Sequence, residues 1–294
     1  MKKAIVGKYS TLFMSLIFLS ACGAQAEGEA FNAAQEINVI TREDGSGTRG
    51  AFTELTGILV EEGESEIDKT SSAAAIQNGT NGVMTTVSGD PAAIGYISVG
   101  SLNDSVKEVK IDGNSPTTEA IAEGSYAIAR PFNVAHKDTL KEEAADFWSF
   151  IFSAEGQEIV SGEGYIESIK DAPAYEKRAD LNGAISVVGS TSVTPVMEAL
   201  SEAYQKIQKN VSIDITSNGS SAGMTAAMDG SADIGMASRE LKEEEAAKLT
   251  HQALAIDGIA VIVHPENPVE NLTVEEVRQI FTGEQTNWTA YVQE

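Results

Sequence analysis

The chain has 294 residues and is strongly acidic, with 44 Asp and Glu residues against 20 Lys and Arg residues and a formal net charge of −24. This charge argues against binding to nucleic acid and against an electrostatic attachment to a membrane surface. The chain has one cysteine, which excludes an internal disulfide. Its length is sufficient for a large core divided between two lobes.

Residues 1–22 have the pattern of an export signal. Lysines near the start precede an apolar run that reaches Leu19, and small residues stand before Cys22. The pattern resembles a bacterial lipobox, in which the cysteine becomes the lipidated first residue of the mature protein. We therefore predict a signal peptide that ends in a lipid anchor on Cys22. Residues 23–35, rich in Gly, Ala, Glu and Gln, are predicted to be a flexible tether.

The first strand–loop–helix unit contains the segment Arg42–Thr48. It follows the apolar strand Ile37–Ile40 and precedes a predicted helix at Ala51–Leu55. A glycine-rich turn that begins a helix leaves backbone N–H donors at the positive end of the helix dipole. The segment also carries two hydroxyl side chains and an arginine, whose planar fork suits oxyanions. It is a candidate anion-binding loop, although a capped turn has the same pattern.

Two further units repeat this arrangement. Strand Ile185–Val188 leads through Gly189–Ser192 into a helix with Pro195 near its first turn. Strand Val211–Ile215 leads through Ser217–Gly223 into another helix. Three amide-rich helix starts could surround one small anion.

The remaining chain predicts α/β lobes with mainly parallel sheets, because short strands alternate with helices. Alternating apolar residues within 104–112 predict a strand that leaves the first lobe. The segment His264–Pro268 follows an apolar strand and is predicted to cross between lobes. A capping box at Thr273–Glu276 predicts the start of a short helix.

Four segments together carry a resemblance to a known family. After Cys22 the chain resembles the phosphate-specific solute-binding lipoproteins of ATP-driven phosphate importers, in particular those of Gram-positive bacteria. In most of that family the Gly-Ser-Thr segment comes first, so the order here resembles a circular permutation. The segments are Arg42–Thr48, Val188–Ser192, Gly219–Gly223 and Ala232–Arg239.

The resemblance implies a two-lobed, periplasmic-binding-protein-like (type II) clamp with a two-strand hinge. One lobe would comprise residues 36–103 and 265–294, and the other residues 104–264. Asp44 matches a carboxylate that orients the arginine in relatives. By matching positions, the residues that bind phosphate would be Ser190, Thr191, Ser192, Ser220, Ser238, Arg42, Ser46, Gly47 and Thr48.

The same resemblance implies that the protein binds inorganic phosphate outside the cell and delivers it to the permease and ATPase subunits of an importer. We expect a monomer held on the extracellular face of the cell membrane by lipid on Cys22. We expect no catalytic residue, no cofactor, no metal and no nucleic-acid partner.

One position departs from the family pattern. Many relatives have an aspartate where this chain has Ser238, and that carboxylate accepts the proton of hydrogen phosphate. A hydroxyl can donate or accept a hydrogen bond, so Ser238 would separate phosphate from sulfate less sharply. Another oxyanion, such as sulfate, is therefore an alternative ligand.

Two alternatives of other classes stay open. The segment Gly219–Gly223 fits the G-x-S-x-G nucleophile elbow of α/β-hydrolases, with Ser221 as nucleophile. Asp233 or Asp257 would supply the acid and His251 or His264 the base. The other alternative is a surface adhesin or structural lipoprotein without a small ligand.

Overall fold

The structure, a computed structural model, describes residues 31–63 and 65–292; the predicted signal peptide and Cys22 lie outside these residues. The strands are β1 (Asn38–Arg42), β2 (Leu59–Glu62), β3 (Ser65–Asp68), β4 (Ala75–Gln77), β5 (Ala93–Ser98), β6 (Lys107–Ile111), β7 (Ala129–His136), β8 (Ile166–Glu167), β9 (Asn182–Gly189), β10 (Asn210–Ser217), β11 (Ile234–Ala237), β12 (Thr250–Val263) and β13 (Asn271–Leu272). The α-helices are α1 (Gly47–Leu55), α2 (Gly79–Ser88), α3 (Thr118–Ala122), α4 (Glu142–Ile151), α5 (Ala154–Gly162), α6 (Thr194–Ile207), α7 (Ser220–Asp229), α8 (Glu243–Ala246) and α9 (Val274–Thr282). Short 3₁₀ helices cover Val99–Ser101 and Trp288–Ala290.

One long strand joins the two halves of the sheet. The main strand order is β10-β9-β11-β7-β12-β5-β1-β4. The first part of β12, residues 250–258, pairs with β7, whereas residues 259–263 pair with β5 and β6. Each half of the sheet carries its own hydrophobic core. The predicted two-lobed α/β fold is therefore confirmed.

The sheet is mixed rather than mainly parallel. Parallel pairs join β1 to β4 and β5, and β9 to β10 and β11. Strands β7 and β12 run antiparallel to each other and to their neighbours β11 and β5. The reason is topological: the chain leaves one lobe along β7 and returns along β12 in the opposite direction.

The lobe boundary lies elsewhere than the sequence predicted. Strand β6 pairs with the last part of β12 and with β13. Ile121 and Tyr126 pack in the core that contains Ile94 and Phe281. We therefore infer a first lobe of residues 36–128 and 259–292, and a second lobe of residues 129–258. The segment 104–128 and the end of β12 belong to the first lobe, and not to a lobe of residues 104–264.

A buried ion pair joins the two crossing strands. Arg130 of β7 and Asp257 of β12 stand opposite each other in the ladder. Their side chains are 2% and 1% exposed, with Arg130 Nη2 3.0 Å from Asp257 Oδ2. Ser98 of the first lobe donates a hydrogen bond of 2.9 Å to Asp257 Oδ1. The ion pair joins the two crossing strands to each other, and the bond from Ser98 ties it to the first lobe.

The hinge pair makes a testable contribution to the pH dependence of stability. Burial raises the pKa of Asp257 to about 6, although Arg130 and Ser98 counteract the rise. The folded state binds the proton of the Asp257 carboxyl group more tightly than the unfolded state does. The resulting contribution to the free energy of unfolding is therefore full below the ordinary pKa of 3.8 and is lost as the pH rises through about 6. As the pH rises from 4 to 6, the melting temperature of the wild type should therefore fall relative to that of Asp257→Asn. A difference that stays constant over this range would contradict the assignment.

Several local predictions agree with the structure. Pro195 stands at the start of α6, and Thr273 and Glu276 form the predicted capping box of α9. The predicted tether, 23–35, is described only from residue 31 onward. There Phe31 packs against Trp288 with ring centroids 6.3 Å apart, so this end of the segment contacts the first lobe. Within the ranges that the structure describes, no helix combines the length and apolar character needed to span a membrane.

Candidate functional site

The four loops that the sequence singled out meet between the lobes. In the second lobe β9, β10 and β11 are parallel neighbours, so their carboxyl ends lie at one edge of the sheet. Ligands of open α/β sheets bind in the crevice outside this edge. The loop between β1 and α1 reaches the same place from the first lobe. Helices α1, α6 and α7 begin directly after these loops.

Three serines of the second lobe form a buried hydroxyl cluster. Ser190 donates a 2.9 Å hydrogen bond to the Ser238 hydroxyl, and the Ser220 hydroxyl lies 3.4 Å from that oxygen. The backbone N–H of Ser238 donates to Ser220 Oγ at 3.1 Å. All three side chains are buried. The loops of β9, β10 and β11 are thus joined through their hydroxyls.

The first lobe closes onto this cluster through Thr48. The Thr48 hydroxyl lies 2.9 Å from Ser192 Oγ and 3.4 Å from Ser238 Oγ. The N–H of Ser221 donates to the carbonyl of Gly45 at 3.1 Å. Hydroxyl and backbone groups of the two lobes are therefore in direct hydrogen-bond contact, and the lobes are closed.

Arg42 supplies the positive charge of the site. Its side chain is 2% exposed, and Nη2 donates to the Thr191 hydroxyl at 3.0 Å. Glu43 accepts from Nε at 2.7 Å and from Nη2 at 2.8 Å. The remaining nitrogen, Nη1, is buried and has no hydrogen-bond partner among the described residues. A buried guanidinium nitrogen without a partner is costly, so it marks where an anion would bind.

The predicted role of Asp44 is wrong: Glu43 holds the arginine instead. The Asp44 side chain is 99% exposed and pairs with Arg49 Nη1 at 3.0 Å. Partial burial works to raise the pKa of Glu43, but the hydrogen bonds and charge of Arg42 outweigh it and hold this pKa below its usual range. Glu43 and Asp44 lie in a turn, in which the N–H of Ser46 donates to the carbonyl of Glu43 at 3.2 Å. This turn directs one of the two acids towards Arg42 and the other towards solvent.

Ser46 and Gly47 support the loop in different ways. The Ser46 hydroxyl accepts from Arg49 N–H at 3.3 Å and so caps α1; its bonds do not reach the hydroxyl cluster among the described residues. Gly47 contacts the cluster directly, because a Cβ at this position would lie 2.2 Å from Ser220 Oγ. Of the nine residues predicted to bind phosphate, Ser46 alone acts mainly as a helix cap here.

Two stacked aromatic residues support the backbone at Arg42. The Tyr96 hydroxyl accepts the backbone N–H of Arg42 at 3.2 Å and lies 2.9 Å from Thr41 Oγ1. Its ring stacks on Phe52 of α1 with centroids 3.9 Å apart. Burial raises the pKa of Tyr96, so it stays a neutral hydrogen-bonding group. The loop therefore rests on the core of the first lobe.

Sequence reasoning missed two residues of the site. Glu43 lies inside Arg42–Thr48, the segment in which Asp44 is the predicted partner of the arginine. Thr80 is the second residue of α2, and its hydroxyl lies 3.3 Å from Ser192 Oγ and 3.4 Å from Thr191 Oγ1. The sequence does contain a signal for Thr80: Asn78–Thr80 is a polar, Gly-containing segment at the start of a helix, like the three loops predicted to bind an anion.

A polar cleft of about 670 Å³ opens beside the hydroxyl cluster. Thr80 and Thr191 separate it from the cluster, and Glu43 and Glu198 give it an acidic wall. Arg49 and Arg239 also lie near these loops, and both are paired: Arg49 with Asp44 and Asp68, and Arg239 with Glu245 at 2.7 Å. Arg42, whose buried Nη1 has no hydrogen-bond partner among the described residues, therefore supplies the charge of the site.

The geometry does not form a hydrolytic triad. Ser221 is contacted by Arg239 Nη2 at 3.5 Å, and among the described residues no hydrogen bond joins it to a histidine. His264 Nδ1 accepts the N–H of Glu266 instead, and Asp257 is held in the hinge pair. The arrangement has donors for an oxyanion, and within residues 31–63 and 65–292 no histidine or carboxylate is hydrogen-bonded to the Ser221 hydroxyl.

Comparison with known proteins agrees with this geometry. A family model described as a PBP superfamily domain matches residues 24–155 and 171–293. The chain belongs to the PBP superfamily. Its fold, two lobes around a crevice at the carboxyl ends of parallel strands, is therefore a PBP-superfamily fold with the hydroxyl cluster at the interlobe face.

Relatives of this PBP-superfamily chain match it over most of its length. Phosphate-binding protein PstS 2 of Streptococcus pneumoniae is 48% identical over 270 residues, or 92% of each chain. The protein of the same name from Streptococcus agalactiae is 49% identical, covering 86% of this chain and 87% of its own. The crystal structure of a phosphate ABC transporter phosphate-binding protein from Streptococcus pneumoniae, 49% identical, matches with a TM-score of 0.70 over 87% of this chain and all of that one.

Proposed function

We propose that this protein binds inorganic phosphate with high affinity outside the cell and delivers it to an ABC importer. The relatives that cover most of the chain are named phosphate-binding proteins, and the solved relative belongs to a phosphate ABC transporter. The ligand-binding residues are Arg42, Gly47, Thr48, Ser190, Thr191, Ser192, Ser220 and Ser238, with Ser46 capping the helix that presents Thr48.

One observation carries this proposal: among the described residues the buried Arg42 Nη1 atom has no hydrogen-bond partner, and its guanidinium lies beside hydroxyls contributed by both lobes. A tetrahedral oxyanion offers acceptors to the guanidinium and to several hydroxyl and amide donors at once. The acidic surface of the chain repels anions at long range. Binding therefore depends on directed donors in a desolvated site.

Closure follows from the division of the donors. Each lobe supplies an incomplete set, so the anion gains all its hydrogen bonds only when the lobes meet and it favours the closed state. The closed pair of lobes is the surface that the permease would recognise. The protein acts as a monomer that lipid on Cys22 holds at the extracellular face of the membrane.

The first test is a thermal melt with added anions. A ligand that binds only the folded protein adds RT ln(1 + [L]/Kd), about 2.7 kcal/mol at a hundredfold excess over Kd. Phosphate at millimolar concentration should therefore raise the melting temperature, while the same ionic strength of chloride should not. A melting temperature unchanged by phosphate would contradict the proposed function, and a rise with sulfate alone would assign the site to another oxyanion.

A further inference from the structure

We propose that Thr80 is a further residue of the anion site and that Glu43 positions both it and Arg42. The inference rests on the proposed function, because it concerns the same site. Neither residue belongs to the three loops of the second lobe, and Thr80 lies outside every segment that the sequence singled out. Its position at the start of α2 adds a second element of the first lobe to the site.

Thr80 has the same relation to the second lobe as Thr48. Its side chain is 5% exposed. Its hydroxyl lies 3.3 Å from Ser192 Oγ, the atom that Thr48 Oγ1 also approaches, to 2.9 Å. The Thr191 hydroxyl, which accepts from Arg42, is 3.4 Å from Thr80 Oγ1. Thr80 therefore connects the Ser192 hydroxyl, which contacts Thr48, to the Thr191 hydroxyl, which contacts Arg42.

The start of α2 also supplies backbone donors. The helix has ten residues, and the side chain of its N-cap residue, Asn78, makes no capping hydrogen bond. The first N–H groups of a helix have no partner within it, so those after Gly79 are available near Thr80. The independent sign of a ligand here is the buried Arg42 Nη1 atom, which lacks a partner among the described residues.

Glu43 links these donors into one unit. Its Oε2 atom accepts from Arg42 Nε at 2.7 Å and from the N–H of Gly79 at 3.2 Å. Its Oε1 atom accepts from Arg42 Nη2 at 2.8 Å. One carboxylate therefore fixes the arginine relative to the start of α2. Because it occupies Nε and one side of Nη2, it leaves Nη1 as the nitrogen that faces the ligand.

The role of the Thr80 hydroxyl can be tested by calorimetric titration with inorganic phosphate. A hydrogen bond to a charged group corresponds to about 1.5–3 kcal/mol, so Thr80→Val should weaken binding about 10- to 100-fold. Thr80→Ser keeps the hydroxyl and should stay close to the wild type. Thr85→Val is the matched control, because Thr85 is exposed on the same helix. Wild-type affinity in Thr80→Val would overturn the role of Thr80.

The positioning role of Glu43 needs a comparison of neighbouring acids. Glu43→Gln should weaken phosphate binding about tenfold or more, whereas Asp44→Asn, which changes the exposed neighbour, should leave it unchanged. If Glu43 acts through Arg42, then Glu43→Gln should add little in an Arg42→Ala background, since coupled residues are non-additive. An equal loss in both backgrounds would show that Glu43 does not act through the arginine.

The same titrations separate this inference from the proposed function. A wild-type protein that gives no saturable signal with phosphate would count against the proposed function. Saturable binding by the wild type, together with wild-type affinity in both Thr80→Val and Glu43→Gln, would count against this inference alone. Saturable binding that is weakened in these two variants and kept in Thr85→Val and Asp44→Asn would support both.

Discussion

Arg42→Ala is expected to produce the largest loss of phosphate affinity of any single substitution at the site. Removing one partner of a buried, charge-assisted hydrogen bond typically costs about 2–5 kcal/mol or more. Arg42 is the cation that lies beside the hydroxyl cluster, and it is almost fully buried. Its loss would leave the Glu43 carboxylate near the anion without its main partner, which adds repulsion to the missing attraction.

Calorimetric titration of phosphate into wild type and Arg42→Ala measures this effect. Arg278→Ala is a suitable control, because Arg278 lies on α9 and makes ion pairs with exposed Glu275 and Glu284. The control should bind phosphate like the wild type. An Arg42→Ala protein with unchanged affinity would refute the assignment of Arg42 as the ligand-binding cation.

Gly47→Ala is expected to prevent closure while it leaves the separate lobes intact. A Cβ at this position would lie 2.2 Å from Ser220 Oγ and 2.8 Å from Ser238 Oγ. Both serines belong to the second lobe, so the clash arises only when the lobes meet. Overpacking typically costs about 1–3 kcal/mol, and two contacts at once favour the upper end of that range. In the helix itself alanine is more favourable than glycine, so the unliganded protein should keep its stability.

The matched control for this substitution is Gly50→Ala on the same helix. Its Cβ would meet Arg239 Cδ at 3.7 Å, an ordinary van der Waals contact. Melting temperatures without ligand should be similar for both variants, and phosphate should raise only that of Gly50→Ala to the wild-type extent. Equal stabilisation of Gly47→Ala by phosphate would show that closure does not require this close approach.

The sequence was sufficient to predict the fold class and the loops that meet at the site, because both depend on local patterns. Strand, Gly/Ser loop and helix recur around Ser190 and Ser220, and the end of each parallel strand places these loops together. The lobe boundary depends on non-local pairing: β6 follows β5 closely in the chain but pairs with the end of β12. No pattern within residues 104–112 reports that partner.

The direction of individual side chains is the second feature that the sequence could not predict. Glu43 and Asp44 are neighbouring acids with similar chemistry, and only the conformation of the loop decides which of them faces Arg42. Thr80 lies in a polar stretch that predicts exposure, yet contact with the second lobe buries it. Burial that arises between lobes leaves no periodic signal within either lobe. The permuted order of the segments stays a prediction.

The length of β12 is constrained more tightly than that of any loop around it. Successive side chains of a strand point to opposite faces, and near its end Ile259 and Val261 enter one core while Ala260 and Ile262 enter another. One inserted residue after Gly258 would exchange these two sets and place branched side chains where alanine now fits. Surface loops tolerate insertions, but we expect none to be accepted between Asp257 and Val263.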